Sequence, residues 1–172
     1  IKESLKKSKK PLFIIGGSGW SNNACSKFHK FINENNIPVA TSFRRQDLFD
    51  HKNENFVGSY GTSVSPKLIA NTKNSDLIVV LGARLGEMTT QGYSIINPQH
   101  DSKNMIHIHV DPNELNKVYN ANICINVGVE ECCEKLEDLK LDNTERWLGW
   151  RNELNKNYVE DSKPQKNRDL NN

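Results

Sequence analysis

A chain of 172 residues, 35% hydrophobic and 26% charged, is long enough to bury one core and too short to be expected to divide into two. Lysine and arginine total 23 against 21 acids, for a net charge of +2. Outside Lys2, Lys6, Lys7, Lys9 and Lys10 the basic residues are dispersed, which speaks against a nucleic-acid partner. No run approaches the ~18 apolar residues of a bilayer span and the first residues lack a signal peptide's apolar core, so no membrane is expected and the protein is placed in the cytoplasm.

The lysine cluster before Pro11 reads as the solvated last turn of a helix that begins upstream of Ile1. "PLFIIGG" (11–17) is an apolar run ending in glycines, the form of a buried parallel strand at its carboxyl edge. A helix should follow, with Ser21 or Asn22 as N-cap and Ala24, Phe28, Phe31 and Ile32 on one face. "IPVATS" predicts a second strand. The stretch "ATSFRRQDLFDHKNENFVGSYGTS" (40–63) then shows no hydrophobic period and reads as a long polar loop. A loop of that length in a compact domain is usually functional.

Ser65 before Pro66 opens a helix that runs into "DLIVVLGAR", the clearest strand of the chain. "NMIHIHVDP" is a fourth strand, "PNELNKVY" a short helix, "NICINV" a fifth strand and "GVEECCEKLEDL" a helix. Strand alternating with helix predicts an α/β fold: a Rossmann-like, doubly wound parallel sheet of about five to six strands with helices on both faces. Past residue 141 Asp142 and Glu145 resemble a capping box, and Trp147, Trp150, Leu154 and Tyr158 share a helical stripe. That stripe either folds back on the same domain or docks on another domain, in which case both indoles are exposed here or buried in a dimer contact. "SKPQKNRDLNN" reads as disordered. Cys25, Cys124, Cys132 and Cys133 form no metal-binding spacing and read as reduced structural thiols.

In an open α/β sheet ligands sit beyond the carboxyl ends of the strands, and three polar clusters fall there: "GGSGW", "TSFRRQD" and "GARLGEMTTQG". The dinucleotide fingerprint fails, because Asn22 stands where the third glycine belongs and Thr41 and Ser42 end the next strand in place of a ribose-binding acid. Arg84 either binds an anion at the crevice or pairs with Glu87 or another loop acid. Arg44 and Arg45 serve either an anionic ligand or salt bridges with Asp47, Asp50 or a neighbouring chain. His107, His109 and Asp111 alternate on one strand face, which suits either a metal or polar packing with Asp111 capping the next turn. No nucleophile–base pair or carboxylate dyad stands out.

Taken in order, "KKPLFIIGGSGW", "IPVATSFRRQDLFD", "GSYGT", "DLIVVLGARLGEMTTQGY" and "IHIHVDPNELNKVY" resemble the central domain of thiamine-diphosphate-dependent enzymes of the acetolactate synthase type, over roughly residues 9 to 139. The resemblance implies partners within one polypeptide, a pyrimidine-binding and a diphosphate-binding domain, in a homodimer or homotetramer. Their catalytic glutamate and the G-D-G motif that holds Mg²⁺ and thiamine diphosphate belong to those domains, and Gly-Asp-Gly occurs nowhere here. It therefore implies an excised central domain, inactive alone, with no catalytic residue or metal ligand of its own. Residues 1–8 would be the end of an upstream helix or linker, 9–140 the domain, and 141–172 a linker helix and tail.

In the synthases this domain also holds FAD in a structural role. By resemblance the contacts would be Gly16, Gly17, Ser18, Thr41, Ser42, Gly61, Thr62, Gly82, Ala83 and Arg84. Two departures bear on it. Where the synthases read G-x-R-F-D-D-R this chain has "GARLGEM", and in "HIHVD" His109 replaces an acid that faces the adenosine. FAD, an ADP-type ligand and an empty crevice all stay open, and the rival reading is a stand-alone nucleotide-binding module.

Overall fold

The computed structural model describes residues 1–98 and 104–164. Helix α1 (Lys2–Lys7) leads into β1 (Pro11–Ile15), α2 (Asn22–Asn35), β2 (Val39–Thr41), a 3₁₀ turn at Gln46–Leu48 and β3 (Phe56–Ser59). There follow α3 (Pro66–Asn74), β4 (Leu77–Leu81), α4 (Glu87–Thr90), β5 (Asn104–His109), β6 (Ile123–Asn126), α5 (Val129–Glu137) and, after a 3₁₀ turn at Thr144–Trp147, α6 (Leu148–Asp161). The six strands pair in the order β3-β2-β1-β4-β5-β6, and every pairing is parallel.

Why these residues form that sheet follows from burial. All five residues of β1 and all five of β4 are buried, so both strands are apolar throughout and lie at the centre. Alternation then divides them: Phe13 and Ile15 face a core with Phe28, Phe31, Ile32 and Leu136, while Leu12 and Ile14 face one with Val57, Leu68, Ile78 and Leu154. The helices thus cover both faces, as a doubly wound sheet requires. The α2 face reads as expected, and Ser21 is its N-cap, its hydroxyl accepting from the Ala24 N–H at 3.0 Å. Ser65 caps α3 in the same way. No helix among the described residues is long and apolar enough to cross a membrane.

Three expectations are corrected. The polar stretch 40–63 is not a bare loop: Leu48 and Phe49 are buried, and Phe56 begins β3, an edge strand parallel to β2. Phe49 stacks on Phe56 at 6.2 Å and His51 at 4.3 Å, which pins the stretch to the core. The pattern hid because β3 has four residues and includes Gly58 at φ 126. The turn after Pro112 is a single 3₁₀ turn, Pro112–Glu114, capped by the Asp111 carboxylate. Asp142 and Glu145 make no capping box; Asn143 in the left-handed region starts a 3₁₀ turn with no side-chain cap bond.

The tryptophan stripe folds back on its own domain. Trp147 is fully buried and its indole N–H donates to the Ser8 carbonyl at 3.0 Å; the Trp150 indole donates to the Pro11 carbonyl at 3.0 Å. Farther on, Tyr158 meets Phe56 edge to face at 4.9 Å and the Asn155 amide donates to the Phe56 carbonyl at 2.9 Å, so α6 covers the β3 edge. The disorder expected of the tail falls mostly on residues 165–172, outside the described residues.

Candidate functional site

Strand order reverses between β1 and β4, and a crevice of about 610 Å³ opens at their carboxyl ends, where an open sheet places its ligands. Gly17 and Ser18 after β1, Ser42 through Arg45 after β2, and Ala83, Arg84 and Gly86 to Thr89 after β4 line it. Of the candidate contacts that the resemblance implies, this brings together Gly17, Ser18, Ser42, Ala83 and Arg84.

The others lie elsewhere, each for a reason. Thr41 is fully buried and its hydroxyl shares a 2.7 Å hydrogen bond with Ser59, tying β2 to β3. Gly61 abuts the Phe43 ring, Thr62 is exposed, and neither is among the lining residues. The remaining glycines serve a close approach of chain to chain. A methyl group on Gly16 would collide with the Ser42 hydroxyl, and one on Gly17 would collide with the Gly82 carbonyl oxygen. Gly17 and Gly82 also hold φ of 71 and 75, which favours glycine.

The charge of the crevice is carried at its mouth. Arg45 bonds Asp47 at 3.2 Å, one of the pairings foreseen. Arg44 lies exposed with its guanidinium 5.0 Å from the Phe43 ring, and Arg84 is exposed as well. Among the described residues neither Arg44 nor Arg84 forms an ion pair, so the Arg84–Glu87 pair is not made. Met88, 48% exposed, adds a neutral wall. Phe43 and Thr89 were not picked out from the sequence; an aromatic beside two arginines was the available signal.

The histidine stripe is hydrogen-bonded into the ends of β4 and β5. His107 is buried, and its Nε2–H donates to the Ala83 carbonyl at 2.9 Å, which fixes the start of the Arg84 loop; its Nδ1 is buried without a partner among the described residues. His109 Nδ1 accepts from the Asp111 N–H at 3.1 Å. Among the described residues no group of three His, Cys, Asp or Glu is placed to hold a metal. Burial pulls the His107 imidazole below its ordinary value, opposed by the bond to Ala83. The unfolded chain takes up this proton near pH 6.5 and the folded one resists it. Stability from this group is therefore complete above about pH 6.5 and falls as pH drops through the lower, folded value. Thermal unfolding between pH 7.5 and pH 5 should show that decline in the native chain, on the order of a few degrees, and a flatter profile in His107→Gln. Equal slopes would exclude His107 as its source.

The family model "Thiamine pyrophosphate enzyme, central domain" matches residues 1–136. The chain is similar to the acetolactate synthase large subunit of Haemophilus influenzae, 30% identical over 122 residues, 68% of this chain and 20% of that protein. The large subunit from Buchnera aphidicola subsp. Acyrthosiphon pisum is 24% identical over 136 residues, 79% of this chain and 23% of that one. The Escherichia coli acetolactate synthase isozyme 3 large subunit is 23% identical over 137 residues, 80% and 23%. The chain thus spans about a fifth to a quarter of these relatives, 20% to 23% of their length. The matched residues hold all six strands and every loop that lines the crevice, and the chain belongs to the central-domain family of the thiamine pyrophosphate enzymes.

Proposed function

We propose that this chain is the central domain of a thiamine-diphosphate-dependent enzyme acting on 2-oxo acids, a lyase or transferase like the acetolactate synthases it is similar to. The observation that carries the reading is the match of residues 1–136 to the central-domain family. In the full-length, cytoplasmic enzyme, a homodimer or homotetramer, thiamine diphosphate and Mg²⁺ sit on the pyrimidine-binding and diphosphate-binding domains and supply the electron sink for decarboxylation. The central domain holds those domains together and walls part of the substrate path with Arg84 and Met88.

FAD or an ADP-type nucleotide would supply a structural filling of the crevice. Arg44 and Arg84, neither in an ion pair among the described residues, fit the negative charge of such a group. Ser18, Ser42 and Ala83 would form the wall against it.

The test is direct. The full-length protein, given thiamine diphosphate, Mg²⁺ and pyruvate or another 2-oxo acid, is expected to release carbon dioxide, and the 172-residue chain alone is expected to release none. A full-length protein that decarboxylates no 2-oxo acid of a broad panel would overturn the reading.

A further inference from the structure

In a sheet of this strand order the turn between the first strand and the first crossover helix is the usual seat of a diphosphate, since glycines let the ligand approach and the helix start offers N–H groups and a positive dipole. We infer that in this chain the seat is closed by the protein's own side chains, with Glu130 as the resident anion in place of a ligand phosphate.

Four observations meet at that turn. Glu130, in the first turn of α5, accepts from the Asn23 amide at 2.8 Å and from the Ser21 hydroxyl, two of the three polar side chains at the start of α2. Its position is set by helix packing, because α5 lies alongside α2 through two further rungs, Lys27–Glu134 at 3.1 Å and Lys30–Glu137 at 3.0 Å. Trp20 folds back against the turn: its indole N–H donates to the Gly16 carbonyl at 2.8 Å and its ring meets Phe28 edge-on at 5.6 Å. Gly16 is accounted for by its contact with Ser42 and Gly17 by its contact with the Gly82 carbonyl, Gly19 faces open space, and the crevice takes Gly17 and Ser18 from this loop but no residue of α2.

The consequence is electrostatic as well as steric. The bonds from Ser21 and Asn23 hold the Glu130 carboxyl below the ordinary carboxylate range, so it stays charged at neutral pH. A phosphate approaching the start of α2 meets a fixed negative charge, whereas one entering the crevice meets Arg44 and Arg84.

The inference is independent of whether a nucleotide fills the crevice, and amide NMR separates the two. Titrated with inorganic phosphate, the native chain is expected to show no saturable shift at the amides of residues 21–25. Glu130→Ala should show one, with apparent affinity at least about tenfold tighter, the scale of an uncovered helix-start anion site. Glu130→Gln, which keeps the bulk and loses the charge, should show a weaker gain and guards against a packing artefact. Saturable shifts at residues 21–25 in the native chain would overturn the inference, and so would folded Glu130→Ala and Glu130→Gln chains that gain none. A parallel ADP titration reports on the other reading: shifts around Arg44 and Arg84 support nucleotide in the crevice, and their absence retires it without touching the phosphate result.

Discussion

Replacing Trp147 with alanine is expected to destabilise the domain by about 3–5 kcal/mol, the usual cost of deleting a fully buried large aromatic side chain. Two terms add. The indole packs in the same core as Phe13, Phe28 and Leu136, so its removal leaves a large cavity that this two-sided sheet cannot close. Its N–H also satisfies the Ser8 carbonyl, and the loss of that bond adds about 1 kcal/mol. Trp150→Ala should behave similarly, from the other face of the sheet, because its indole lies with Leu12, Ile14 and Leu154 and bonds the Pro11 carbonyl. At about 2–4 °C per kcal/mol for a domain of this size, each change should lower the melting temperature by roughly 10 °C. Urea unfolding followed by far-UV circular dichroism measures both. A Trp147→Ala chain within about 1 kcal/mol of native stability would mean that the stripe is built for another surface after all.

The same tryptophans show where reading the chain runs out. Their spacing predicts a helix with one apolar stripe, and that helix exists. What covers the stripe is decided by carbonyls 139 residues earlier in the chain, for which no local pattern stands. The five strands legible in sequence are those with continuous apolar runs or clear flanking glycine and proline. The sixth, β3, owes its place to contacts with Phe49, His51 and Tyr158 and has no periodicity of its own. At the site, the rule of strand ends picked out the three polar clusters whose residues line the crevice, and five of the contacts implied by the resemblance are among those lining residues. It did not foresee that Glu130, 109 residues from Ser21, would sit at the start of α2, nor that the glycine turns after β1 and β4 would press on each other. Both are tertiary facts that one-dimensional spacing does not encode.

That contact between turns sets the second large effect. Gly17→Ala is expected to cost about 3–5 kcal/mol, through backbone strain and collision together. The strain is modest: at φ 71 an alanine costs on the order of 1 kcal/mol over glycine. The collision is the larger part, because the new methyl would overlap the Gly82 carbonyl oxygen, a backbone atom that no rotamer change can move aside. Relief requires the two turns to separate, and each is tied to its neighbour: Gly16 N–H donates to the Leu81 carbonyl at 3.0 Å and Gly82 N–H to the Ile108 carbonyl at 2.9 Å. Gly19 supplies the control. It also has positive φ, 82, but a methyl group there meets nothing within 4 Å, so Gly19→Ala should cost only the strain, about 1 kcal/mol. Comparing the two by urea unfolding isolates the collision. If the glycines existed to admit a ligand phosphate, both substitutions would cost similarly little stability and would differ in ligand affinity instead. Equal, small losses at Gly17 and Gly19 would therefore overturn the account of this turn as a packing contact between the ends of β1 and β4.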